Sequence, residues 1–200
     1  MLLCTVALAG QKDGFQLGPN LGYTFGGGVE SPSLTYGLQA AYQFKYFRIE
    51  LAYDRLKDDA TESEEGVSMS MKLKANAISL SGWGRLPVTD KFGLYAGGGL
   101  NYYMPSMDTD ATVNGRDLAG AGVKVDVDVD NAFGFQVGVG AEYAITDQIA
   151  VFADVRKVWV KLDTDLTATM ILNGLSVTES VSDKMEWYFT MARIGVNYTF

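Results

Sequence analysis

Apolar and polar residues trade places at every step along most of this chain. In the first such run Phe15, Leu17, Pro19, Leu21, Tyr23 and Phe25 alternate with Gly14, Gln16, Gly18, Asn20, Gly22 and Thr24. A period of two is the mark of a β-strand with two unlike faces. The second run sets Leu34, Tyr36, Leu38, Ala40, Tyr42 and Phe44 against Thr35, Gly37, Gln39, Ala41 and Gln43, and the third sets Phe47, Ile49, Leu51 and Tyr53 against Arg48, Glu50, Ala52 and Asp54. The fourth, over 69–86, changes parity: Met69, Met71 and Leu73 are odd, while Ile78 and Leu80 are even. A bulge between them is expected, because one extra residue swaps the two faces. The fifth alternates Phe92, Leu94, Ala96, Gly98, Leu100 and Tyr102 with glycines, Tyr95 and Asn101. The sixth alternates Phe133, Phe135, Val137, Val139, Ala141 and Tyr143 with Gly134, Gln136, Gly138, Gly140 and Glu142. The seventh, over 149–161, places Asp154 and Arg156 among Val151, Ala153 and Val155, and the eighth ends in Ile194, Val196, Tyr198 and Phe200.

The connections alternate in length. Those at 45–46, 87–90 and 144–148 are tight, and those at 26–33, 56–68, 105–131 and 162–184 are long. Short turns at one end of an even number of strands and long loops at the other are the arrangement of an outer-membrane barrel. The expected fold is therefore all-β: an eight-stranded antiparallel up-and-down transmembrane β-barrel. Closure is required, since an open strand edge in lipid would leave backbone groups unpaired. The first strand must then pair with the eighth.

A soluble barrel has the same period with its apolar face inward. Two features turn this one inside out. The polar face is rich in Gly, Ala, Asn, Gln and Thr, which suit a crowded lumen, where a water-facing exterior would carry Lys and Glu. Aromatic residues close both ends of the apolar face, as with Phe15 and Phe25, Tyr36 and Phe44, Phe47 and Tyr53, Phe92 and Tyr102, or Phe133 and Tyr143. Two such belts mark the two membrane interfaces.

Composition narrows the function. The 48% of hydrophobic residues is spread out, and no run reaches the roughly 20 apolar residues of a membrane helix. A net charge of −8 argues against a nucleic-acid partner. The chain has no histidine, which excludes Ser-His catalysis, a histidine general base and histidine-based zinc sites. The single cysteine, Cys4, rules out an intrachain disulfide. It lies in a short apolar stretch ending Ala7, Leu8, Ala9, so residues 1–9 read as the remnant of a signal peptide before one barrel domain over 10–200.

Few motifs offer chemistry. Asp126, Asp128 and Asp130 resemble the start of a calcium loop, but Asn131 and Val137 stand where such a loop needs Gly and Glu. Their spacing suggests a ribbon rising above the membrane. The acidic stretch over 57–65 reads as a solvated outer loop, or as a place for cations that bridge lipopolysaccharide. The glycines at 97–99, 138 and 140 lie within strands and have no following helix, so they are no phosphate loop. No catalytic residue, cofactor or metal is expected. The lumen-facing charges are more telling. Arg48, Glu50, Asp54, Glu142, Asp154, Arg156 and Arg193 are close to balanced in sign. They suggest a salt-bridged plug in preference to a charged path, because buried charge must be paired.

Several segments resemble the OmpW family of small outer-membrane barrels. These are Leu94 to Tyr102 with its three central glycines, Val137 to Tyr143 followed by Ala153 to Arg156, and Gly195 to Phe200. The wider OmpX-like group shares most of them. The resemblance implies a narrow channel or carrier for small hydrophobic molecules in the bacterial outer membrane. A structural or adhesive barrel acting through its outer loops is the alternative. The implied partners are outer-membrane lipid, lipopolysaccharide and the barrel-assembly machinery, with the protein a monomer. Ile194, Val196, Tyr198 and Phe200 resemble the terminal signal read by that machinery. Deleting Phe200 is expected to slow insertion markedly in pulse-labelled cells while changing the stability of the inserted barrel little; insertion at the normal rate would refute the role.

Overall fold

The computed structural model describes the backbone of residues 13–27, 32–64, 67–113, 116–117, 123–172 and 175–200, with side chains outside 57–73, 107–129 and 162–185. Among the described residues ten strands follow one another: β1 (Gly14–Phe25), β2 (Ser33–Gln43), β3 (Phe47–Glu64), β4 (Val67–Pro87), β5 (Phe92–Val113), β6 (Arg116–Asp117), β7 (Val123–Val129), β8 (Ala132–Ala144), β9 (Ile149–Leu172) and β10 (Leu175–Thr199). Eight of them form a closed antiparallel wall, in the order β1, β2, β3, β4, β5, β8, β9, β10 and back to β1. The closing pairs run from Gln16↔Thr199 to Phe25↔Thr190. β6 pairs with β5, and β7 lies along the far half of β9, so the Asp-Val repeat is a ribbon strand. The expected leader over 1–9 lies outside the described residues.

Stepping across the wall from partner to partner, the path leaves β1 at Phe15, crosses Tyr42, Ile49, Gly82, Gly98, Val137, Lys157 and Thr190, and re-enters β1 at Phe25, ten residues further along. Eight strands with that stagger tilt by about 40° and enclose a backbone cylinder of roughly 8 Å radius. Such a tube has room for side chains and little else.

Two expectations need correction. β3 and β4 stay paired from Phe47↔Gly84 to Glu64↔Val67, and β4 and β5 from Pro87↔Gly93 to Val67↔Val113. No bulge interrupts β4. Its change of apolar parity is chemical: the inward positions 75 and 77 are apolar alanines while the outward positions 74 and 76 are Lys and Asn, so the contrast inverts there with no change of register. The stretches 56–68 and 162–184, expected as loops, are mostly strand. β9 and β10 pair without a break from Tyr198↔Ile149 to Leu175↔Leu172. About 10 residues suffice for a tilted strand to cross the hydrocarbon; β9 has 24 and β10 has 25. The long hairpins therefore continue as β-ribbons, because pairing satisfies the backbone outside lipid as well as in it.

The outer face is the apolar one. Leu21, Leu38, Leu51, Leu80, Leu100 and Ile194 are all more than half exposed, as is Phe133 at 75%. An apolar surface that wraps a whole barrel is stable only against lipid. Phe15, Phe44 and Phe47 stand at the short-turn end, and Phe25, Tyr36 and Tyr53 at the other. Phe200 packs its ring against Phe15 and Tyr198, with centroids at 5.9 and 4.9 Å, while its amide donates to the Phe15 carbonyl at 3.0 Å.

The seam between β1 and β10 has one gap. Its ladder runs to Leu17↔Tyr198 and resumes at Asn20↔Gly195, skipping positions 18 and 19. Proline has no N–H to give, and the Val196 carbonyl lies so close to Gly18 that a Cβ there would collide with it. On its other edge Pro19 pairs normally with Leu38.

Candidate functional site

Strand alternation delivers every inward residue to the barrel axis. The structure brings all seven charges singled out in the sequence into one connected cluster in the short-turn half of the lumen. Arg48, Glu50 and Arg156 have no exposed surface, and Asp54, Glu142, Asp154 and Arg193 are buried. Glu50 is one centre. Its Oε2 accepts from Arg48 Nη2 at 2.8 Å, and its Oε1 from Arg156 Nη2 at 2.7 Å and Arg193 Nη2 at 3.4 Å. Asp154 is the other. It accepts from Nε and Nη2 of Arg156, both at 3.0 Å, and from Nε and Nη2 of Arg193 at 3.1 and 2.9 Å. The Tyr95 hydroxyl donates to Asp154 Oδ2 at 3.2 Å. Asp54 meets Arg193 at 3.5 Å, and Glu142 meets Arg48 at 3.9 Å.

Sequence reasoning missed a member. Arg85 forms an ion pair with Glu142 at the lower mouth, which brings the cluster to four arginines and four carboxylates. The parity of Ile78 and Leu80 already places it inside, but it stands at the strand's end, where the alternation was not followed. A period of two carried straight through β4 places Ala77, Ser79, Ser81, Trp83 and Arg85 on the inner face. Trp83 shares that inward parity. The Arg156 guanidinium lies over its ring at 4.5 Å, as Arg48 lies over Tyr95 at 4.6 Å. These cation–π contacts answer guanidinium faces that carboxylates do not reach. Gln39 donates to Asn197 Oδ1 at 2.8 Å and Gln136 donates to Ser81 Oγ at 2.8 Å, extending the polar layer.

Toward the long hairpins the lumen changes character. Leu56, Tyr103, Val158, Val160, Trp187 and Phe189 form a buried apolar cluster with small alanines between them. Trp187 and Phe189 have ring centroids 4.7 Å apart, and Tyr103 meets each edge-on at 6.4 Å. No isolated signal marks these residues in the sequence, because an apolar side chain of inward parity looks like noise in an alternating pattern. The long connections also carry Val123, Val125, Val127, Val129, Met170, Ile171 and Leu172, which by sequence suit an apolar vestibule above the membrane; their side chains lie outside the described ones.

A closed antiparallel barrel with an apolar outer face, aromatic belts and a charge-filled core is the architecture of a bacterial outer-membrane protein. The chain belongs to the family described as outer membrane protein beta-barrel domain, which matches residues 1–200. No curated protein matches the sequence. Among solved structures, the outer membrane protein OprG from Pseudomonas aeruginosa shares 17% identity and a TM-score of 0.62, covering 96% of this chain and 99% of that one. Neisserial surface protein A shares 15% identity with a TM-score of 0.59, covering 93% and 97%. A major outer membrane protein from Thermus thermophilus gives 15% and 0.59, covering 93% and 99%. These likenesses hold at the level of the fold, that of the OmpW- and OmpX-like eight-strand barrels.

Truncating one partner of a buried ion cluster leaves the others uncompensated and costs about 3–5 kcal/mol. Arg156→Ala removes one of the two cations shared by Glu50 and Asp154. It is expected to destabilise the barrel in lipid by that amount, read from urea unfolding, and to raise its leak current. A change under about 1 kcal/mol, outside the range for buried pairs, would contradict the assigned geometry.

Proposed function

We propose that the barrel takes small hydrophobic molecules from outside the cell and offers ions no path. One observation carries this reading: the lumen is sorted into a sealed ion-pair layer below and an apolar aromatic layer above. A hydrated ion entering from the long-hairpin end would shed water against Trp187, Phe189 and Tyr103. It would then meet carboxylates and guanidiniums already engaged with one another. An apolar solute is matched to the upper layer and blocked by the lower one, so its exit runs sideways into lipid. In this reading the protein catalyses no reaction and needs no cofactor. It inserts as a monomer through the barrel-assembly machinery.

A second reading, a non-transporting display barrel, draws on the β-ribbons. β3 with β4 and β9 with β10 stay paired well past the length that lipid requires. Such stiff hairpins could present an adhesive surface.

Both readings predict weak ionic conductance. Purified protein in planar bilayers should show no large steady currents, and such currents would refute the sealed lumen. The readings part on liposomes loaded with an acceptor for a fluorescent hydrophobic solute. Carrier function predicts faster entry than in protein-free liposomes, and substituting Trp187 and Phe189 with Glu should abolish the gain. Equal rates with and without protein would leave the display reading standing.

A further inference from the structure

Charge on the outer wall is mostly answered within the protein. Lys161 pairs with Glu186 at 3.1 Å, and the Lys157 ammonium lies 4.8 Å from the centre of the Tyr188 ring. Arg55 is different. It shares the outward parity of Ile49, Leu51 and Tyr53, and lies two residues beyond Tyr53 toward the long-hairpin end. Its Nε is buried without a hydrogen-bond partner, and no carboxylate among the described residues pairs with it.

Its neighbours are donors too. Asn76 stands directly opposite on β4, and the Tyr53 hydroxyl donates to Asn76 Oδ1 at 2.8 Å. With that oxygen engaged, the amide presents its Nδ2 hydrogens. One row further out the register sets Lys57 opposite Lys74. Lys74 also has a contact within the protein, so Arg55 and the Asn76 amide carry the site and Lys74 adds to the field. On the other flank Tyr36 stands opposite Arg55, 42% exposed. A cationic patch in a chain of net charge −8 is a local exception, and like charges set opposite each other on a sheet are destabilising when nothing offsets them.

We propose that Arg55, with the Asn76 amide and the field of Lys74, binds a phosphate of a phosphorylated glycolipid in the outer leaflet. The height fixes the source. The patch faces sideways from the wall just above the Tyr36 and Tyr53 belt, where headgroups lie and where tyrosine rings mark the interface. The chemistry fits as well, since a guanidinium offers parallel N–H donors to phosphate oxygens in charge-assisted bonds.

The test uses the whole barrel in detergent micelles, with diphosphorylated lipid A as the probe and retention read by native mass spectrometry. Wild type should hold one lipid A, and Arg55→Gln with Lys74→Gln should weaken retention on the order of tenfold, the effect of losing a charge-assisted contact. Lys161→Gln, whose cation already has a partner, should retain it fully. Heat-modifiable gel mobility confirms that each variant is folded. On wild type alone, dephosphorylated lipid A should fail to bind. Equal binding of the dephosphorylated probe, or undiminished retention by the double variant, would overturn the proposal. So would displacement by millimolar inorganic phosphate, which would assign the site to the free ion. Loss of binding in chelator would overturn it by assigning the contact to cations bridged by the acidic stretch over 57–65.

Discussion

In lipid a backbone N–H or C=O without a partner costs several kcal/mol, so the sheet must close on itself. Eight strands staggered by ten residues close it with an interior just wide enough for side chains. That narrowness governs which residues the inner face can carry. Glycine stands where strands or rings crowd the lumen: a Cβ at Gly140 would run into the Tyr95 ring, and one at Gly195 into Phe152. Any charge placed inside meets another charge within a few ångströms, which makes balance of sign a condition of folding. Glu50 and Asp154 meet it by sharing Arg156 and Arg193, with Glu50 also holding Arg48.

Much of this fold was legible because a two-faced sheet writes a period of two into its sequence. β1, β2, β5 and β8 read cleanly, since their inner faces carry small or polar residues against an apolar outside. The inner charges were legible for the same reason: Asp154 and Arg156 stand out among valines. Legibility failed where the inner face turned apolar. Near Ala75 and Ala77 the inner face of β4 is apolar while Lys74 and Asn76 face outward, and this inverted pattern mimics a bulge that backbone pairing does not contain. Trp83 and Arg85 follow from the parity of Ile78 and Leu80 alone, but as single large or charged residues at the end of a doubtful strand they did not stand out. Legibility failed also at Trp187 and Phe189, in a stretch whose upper part reads as loop because polar residues fall on both parities. Hairpin pairing, not burial, keeps that stretch in strand, and pairing leaves no hydropathic trace.

The two layers of the lumen do different work on the same strands. β9 supplies Asp154 and Arg156 to the ion cluster, then Val158 and Val160 to the apolar cluster, and β10 supplies Arg193, then Met191, Phe189 and Trp187. The change from charge to hydrocarbon takes a single inward step on β9. A water chain threading the barrel would have to cross that step and then separate ion pairs at 2.7–3.0 Å. The outer face answers a different solvent, with leucine and isoleucine in the hydrocarbon and tyrosine and arginine at its outer border.

The central claim is that packed ion pairs leave no continuous water through the barrel, and the most direct measurement is thiol access at its middle. Ser81 is an inner residue of β4, 3% exposed and hydrogen-bonded by Gln136. Ser81→Cys in a Cys4→Ser background gives one thiol on the axis. A charged, membrane-impermeant thiol reagent supplied from both sides should leave it unlabelled in the inserted barrel and label it fully after unfolding. Complete labelling of the folded protein would show an aqueous path and contradict the closed lumen.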